Sequence, residues 1–217
     1  MIKTARAVGV LFLVSTAAYL IGSGILDPIL HRTDALDSLY PERARAYAGL
    51  FLESINALAV VGIAMLLYPI LKQSHEALAL GYFGSRVIES ALLLVSLIGP
   101  LVLIKLNPST TAEGASVDSS LQAAGRLAIE AHDLLFELAM IALGAGSLLL
   151  CYMFYRTRLV PRTLSVIGFI GYACLLASSC LSIAGLESGV ILYAPGAVFE
   201  IALPVWLIVK GFRFPRA

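Results

Sequence analysis

Charge is what this sequence has least of. Asp, Glu, Lys and Arg make up 13% of the 217 residues, against about 25% in a soluble domain. Too few polar side chains remain to cover a surface facing water. The balance is apolar, 59% hydrophobic with a mean hydropathy of +0.92, so lipid is the solvent for most of this chain. A formal net charge of +1 without clustered Lys and Arg excludes nucleic acid as a partner. Cysteine is also sparse. Cys151, Cys174 and Cys180 all fall in apolar runs and form no Cys-x-x-Cys pair, which fits packing rather than a disulfide framework or a zinc site.

Catalytic signatures are missing too. No His-Glu-x-x-His, Gly-x-Ser-x-Gly, phosphate-binding loop or Gly-x-Gly-x-x-Gly following a strand occurs, which disfavours metal hydrolysis and nucleotide chemistry. The Glu-x-x-His spacing of di-iron bundles is absent: Glu130 and His132 are two apart and point away from each other. His31 and His75 fall in loops. The sequence therefore assigns no metal ligands and no cofactor.

What is present is a set of apolar segments, each near the ~20 residues a bilayer span needs. Six are placed, over approximately 7–26, 47–71, 78–104, 122–155, 163–184 and 190–209. The expectation is all-α: one integral membrane domain over 1–217, a six-transmembrane-helix bundle. The first segment follows Lys3 and Arg6 and is longer than the ~7–15 apolar residues of a signal peptide, so it reads as a retained helix. The loop 105–121 is the most linker-like stretch. Lys3, Arg6, Lys72, Arg156, Arg158, Arg162, Lys210, Arg213 and Arg216 fall on one side, which puts both termini in the cytoplasm. Tyr68, Tyr152, Tyr155 and Trp206 then mark the inner interface. Gly168, Gly171, Cys174, Ser178, Ser182 and Gly185 form a stripe of small residues, the face on which a helix packs closely in lipid.

Against this background some side chains are out of place. Ionisable groups at membrane depth are expensive and need a partner, a cavity or a proton. Glu53 and Asn56 lie one turn apart in the second segment, and Arg86 and Glu89 one turn apart in the third. Arg126, Glu130, Asp133 and Glu137 share one face of the fourth. The first two of these suit an exposed outer end, whereas Glu137 opens a long apolar run. Glu200 lies about 15 Å deep in the sixth segment. Pro204, four residues on, cannot donate to the Glu200 carbonyl, so one residue offers both a carboxyl and a freed backbone oxygen. Broken helices of transporters combine these features. Glu53, Glu89, Asp133, Glu137 and Glu200 face one firm cation, Arg86, with His132 as a second candidate. Ion pairing cannot neutralise them all. Either several hold protons, or the bundle takes a cation or basic ligand. A short echo also links Val87-Ile-Glu89-Ser-Ala-Leu92 to Val198-Phe-Glu200-Ile-Ala-Leu203, in segments of opposite sense.

Several runs resemble a known family. They are Phe51-Leu-Glu53, Val60-Val-Gly62-Ile-Ala64, Tyr68-Pro69-Ile-Leu-Lys72, His75-Glu76-Ala-Leu-Ala-Leu-Gly81-Tyr82 and Arg86-Val-Ile-Glu89. The basic turn Tyr155-Arg156-Thr-Arg158-Leu-Val-Pro161-Arg162 and the stretch from Glu200 to Phe212 belong with them. The resemblance is to the domain-of-unknown-function 4386 family of bacterial integral membrane proteins. It implies a six-helix inner-membrane protein and supplies no activity, substrate or cofactor. At Ala131-His132-Asp133 the chain departs from a pattern closer to Ala-Arg-Asp. Three functions stay open: a carrier or binder of protons, a cation or a small amphipathic molecule; an intramembrane enzyme on a lipid or quinone-like substrate; and a structural or regulatory partner protein using the small-residue stripe and the basic inner loops.

Overall fold

The computed structural model describes residues 2–32, 39–111, 119–186, 192 and 194–213, with the backbone alone at 106–111 and 119–121. Among these residues there is no strand. The helices are α1 (Ile2–Leu30), α2 (Arg43–Leu71), α3 (Glu76–Ser96), α4 (Ile98–Thr111), α5 (Ser119–Thr157), α6 (Arg162–Ile183) and α7 (Ala194–Val209). Five stretches are long and apolar enough to cross a membrane, α3 and the start of α4 counting as one. The chain is a multi-pass, all-α membrane protein.

The described part of the sixth span runs from Ala194 to Val209, 16 residues or about 24 Å of helix. Pro195 in the first turn suits a helix start there. Residues 187–191 and 193, where part of the expected helix falls, lie outside the described residues. The linker-like loop is also partly helical, since α4 runs on to Thr111; the remainder of that stretch, 112–118, lies outside the described residues.

The expectation of an unbroken third helix is corrected at Leu97. Pro100 has no N–H to offer the Ser96 carbonyl, so the helix parts into α3 and α4. His132 on α5 takes that carbonyl instead, Nδ1–H donating to Ser96 O at 2.8 Å. In lipid a freed carbonyl must find such a donor. A Cβ on Gly99 would stand 2.6 Å from Ala128 O, so glycine is what lets α5 approach the break.

Each long helix packs chiefly on its sequence neighbours, in the order α1, α2, α3, α5, α6, α7, and α7 closes back on α1. The result is a ring. One apolar cluster, around Phe12, Leu67, Tyr82, Phe154 and Leu207, fills the end that holds both termini. A second, around Leu26, Leu50, Leu97 and Ile104, fills the opposite end. Phe51, Leu58, Met65, Val205 and Val209 point outward, as a lipid-facing surface requires.

The small-residue stripe is used inside the chain. A Cβ on Gly171 would lie 2.6 Å from the Gly196 backbone, and one on Gly168 would lie 2.5 Å from the Phe199 ring. Ser178 is fully buried. Gly185, at φ +75, ends α6: Leu186 N–H donates to Leu181 O and Gly185 N–H to Ser182 O, each at 2.9 Å. This is the double bond of a glycine-terminated helix.

Gly171→Leu is expected to lower thermal stability by about 1–3 kcal/mol or more, because backbone cannot yield as a side chain can. Gly84, with open space where a Cβ would sit, is the control: Gly84→Ala is expected to be neutral or stabilising by up to about 1 kcal/mol. Thermal denaturation in a mild detergent distinguishes the two.

Candidate functional site

The ring encloses a cavity of about 340 Å³ between the two apolar plugs. All six long helices contribute to its wall. The polar groups are Ser15 and Thr16 from α1, Asn56 from α2, Arg86 and Glu89 from α3, and Glu200 from α7. Aromatic rings of Phe12, Tyr19, Phe136 and Tyr172 supply much of the remainder.

Arg86 and Glu89 share a face of α3 because residues three apart on a helix are neighbours. Arg86 Nη1 lies 2.8 Å from Glu89 Oε2, and the residues are only 4% and 2% exposed. The two side chains form a buried ion pair, and Arg86 Nε beside it has no hydrogen-bonding partner. An unpaired buried donor normally costs about 1–3 kcal/mol, so its place on a cavity wall is informative. Arg86 also interacts electrostatically with Glu200, and so does Glu89.

Glu200 reaches the cavity from α7, half-buried. Tyr172 OH donates to its Oε1 over a long 3.4 Å. Tyr172 is itself fixed edge-on against Phe199, with ring centroids 5.6 Å apart. Asn56 Oδ1 accepts from Ser15 Oγ at 2.6 Å, which ties α1 to α2 and aims the amide. Near Gly9 the α1–α7 seam is tight, a Cβ there meeting Pro204 O at 2.8 Å. Farther along, the seam differs. Leu20 on α1 and Ile201 on α7 line the cavity yet are 62% and 59% exposed. The rim therefore lies between these two helices and faces the outer, lipid-contacting surface.

Of the residues singled out by sequence, Asn56, Arg86, Glu89 and Glu200 meet at this cavity, with Pro204 one turn beyond Glu200. The other three do not. Glu53 is half-buried with its Cγ against Gly22 at the α1–α2 contact. Glu137 turns a buried Oε2 without a hydrogen-bonding partner to one side, while its neighbours Phe136 and Met140 on α5 line the cavity. Asp133 sits near the far end of the bundle, where its Oδ2 accepts from His31 Nε2 at 3.1 Å. Tyr172 and Ser15 were not singled out, although a hydroxyl at membrane depth always wants a partner. Among the described residues no three His, Cys, Asp or Glu side chains are grouped to hold a metal ion.

His31, directly after α1, is tied at both ring nitrogens. Its Nδ1 faces the Asp27 carbonyl at 3.1 Å and its Nε2 faces Asp133, so two acceptors want two ring protons. Burial opposes the charge, but the Asp133 hydrogen bond and carboxylate outweigh it and raise the His31 pKa above its ordinary value.

A family model described as a domain of unknown function, DUF4386, matches residues 7–211, nearly the whole chain. No curated protein and no solved structure matches.

Two outcomes follow from this geometry. Arg86→Met leaves Glu89 buried without a counter-charge and is expected to cost about 3–5 kcal/mol, most of it recovered in Arg86→Met/Glu89→Leu; thermal denaturation of both variants decides. For His31, a raised folded pKa means that its tether is strongest below the unfolded value of about 6.5 and fades as pH rises through the folded one. Both partners are half exposed, so the contribution is expected to stay below about 1 kcal/mol. Asp133→Asn should remove that slice of the pH dependence, read from melting temperatures across neutral pH.

Proposed function

The chain belongs to the DUF4386 family, and from that premise we propose that it is a six-span binder or carrier whose central cavity takes up a proton or a single positive charge. One observation carries the reading. Two carboxyls, Glu89 and Glu200, face one guanidinium, Arg86, across a single cavity. With both carboxyls ionised the set is one positive charge short, and at membrane depth such a deficit is costly. A proton or a monovalent cation at Glu200 cancels it.

We assign Glu200 and Glu89 as the exchanging groups and Arg86 as their internal counter-ion. Asn56 and Tyr172 orient the polar wall through Ser15 and Glu200 respectively. The inner-membrane location, with both termini cytoplasmic, is part of the same proposal. In its support, Lys72, Arg156, Arg162 and Arg213 lie over the rings of Tyr68, Tyr152, Tyr155 and Trp206, as cations and aromatics do at an interface.

The rim between α1 and α7 favours a second reading, an intramembrane enzyme on a lipid or quinone-like substrate. Glu89 and Glu200 would then act as acid and base. In the partner-protein reading, Gly168 and Gly171 are covered by α7 of the same chain, which leaves the exposed Ser182 and Gly185 end of the stripe and the basic loops as its surface.

In proteoliposomes, proton- or cation-driven flux is expected to fall by about tenfold or more in Glu200→Gln and in Glu89→Gln. Wild-type flux in both variants removes the carrier reading.

A further inference from the structure

We propose that the ligand of this cavity is a lipophilic amine that enters sideways from the bilayer between α1 and α7, its ammonium head at Glu200 and its tail in the opening. The inference rests on the reading of Glu200, Glu89 and Arg86 given above and adds the ligand's class and its route.

Size comes first. About 340 Å³ is at the small end of the ~300–1,000 Å³ typical of small-molecule sites. The cavity admits a compact head and the start of a chain, and the remainder of a longer molecule must leave through the rim. That rim is apolar, Leu20 and Ile201, and both residues are largely exposed on the surface that faces lipid. A ligand arriving by this path must dissolve in hydrocarbon, which excludes a bare hydrated ion.

Charge comes second. Arg86 is spent largely on Glu89, 2.8 Å away, and Glu200 has only a neutral hydroxyl at 3.4 Å. An anionic head would add to the negative excess, and an uncharged head would leave it in place. A primary ammonium cancels it and brings three N–H donors to the carboxyl.

The walls fit the same chemistry. Phe12, Tyr19, Phe136 and Tyr172 line the cavity, and Tyr19 and Phe136 stack with centroids 5.7 Å apart and planes at 9°. Ring faces attract a cation within about 6 Å. Aromatic walls around a carboxyl held only by one long hydroxyl bond are what a desolvated ammonium needs.

Proton and amine would exclude each other at Glu200, so occupation should weaken as pH falls. The charged or titratable groups facing Glu200 are Arg86 and Glu89 from α3, Tyr172 from α6 and Tyr19 from α1. The α2 and α5 walls offer Asn56, Val60, Phe136, Met140 and Leu143, none of which titrates.

The experiment uses the full chain in nanodiscs of neutral lipid, with octylammonium as the probe and octan-1-ol, octanoate and tetramethylammonium as controls. Octylammonium should raise the melting temperature, the controls should not, and Glu200→Gln should weaken octylammonium binding by about tenfold or more. Glu200→Asp, which keeps the charge, should retain part of it. Leu20→Trp should slow binding by about tenfold, whereas Leu58→Trp, exposed on α2 away from the rim, should not. Octan-1-ol binding as well as octylammonium, or octylammonium binding unchanged in Glu200→Gln, overturns the amine. Equal rates in Leu20→Trp and wild type overturn the side entry. Glu200-dependent proton flux without octylammonium binding overturns this inference alone, while flux and binding both indifferent to Glu200 overturn the underlying reading with it.

Discussion

A guanidinium and a carboxylate taken out of water each lose several kcal/mol of solvation, and their attraction repays this only when the geometry is close. At Arg86 and Glu89 the helix itself supplies that closeness, through a spacing of three residues on α3. The remainder of the cavity is arranged about that pair. Because Arg86 is committed to Glu89, Glu200 on the facing helix has no cation of its own and turns to Tyr172. The apolar plugs at both ends keep water from the pair, which strengthens every interaction between the charges. The imbalance of the three groups follows from the order in which they can be satisfied.

Two prolines act on the same principle in opposite ways. Pro100 frees the Ser96 carbonyl, and His132 fills the vacancy at 2.8 Å, so that break is closed and structural. Pro204 removes the helical donor of the Glu200 carbonyl, beside a carboxyl that already faces the cavity. The first interruption is stitched to a neighbouring helix, whereas α7 runs unbroken from Ala194 to Val209 with Pro204 inside it. His132 thus has a packing role and lines no part of the cavity.

Apolar length made the helices legible in sequence, and intramembrane charge drew attention to Arg86, Glu89 and Glu200. Two things were not legible. Depth was one: Asp133 lies on the same helical face as Glu137, yet ends half exposed beside His31, because α5 is 39 residues long and outruns any bilayer. Rotation was the other. Glu53 and Asn56 are one turn apart on α2, but a small angular difference sends Asn56 to the cavity and Glu53 to Gly22. Sequence spacing says which residues share a face and leaves open what that face meets. The Pro100 break was hidden by the apolar run around it, where hydropathy outvotes backbone hydrogen bonding.

The order of helices around the ring is the order of the chain, with α7 the piece that closes it against α1. During synthesis α3 therefore reaches the membrane well before its opposite wall exists. Its two charges can wait there, since they neutralise each other within one helix. Glu200 arrives last, into a niche already built by the others. Until α7 packs against α1 and α6, the cavity has no wall on that side, and the polar groups of the other helices lie open to the lipid.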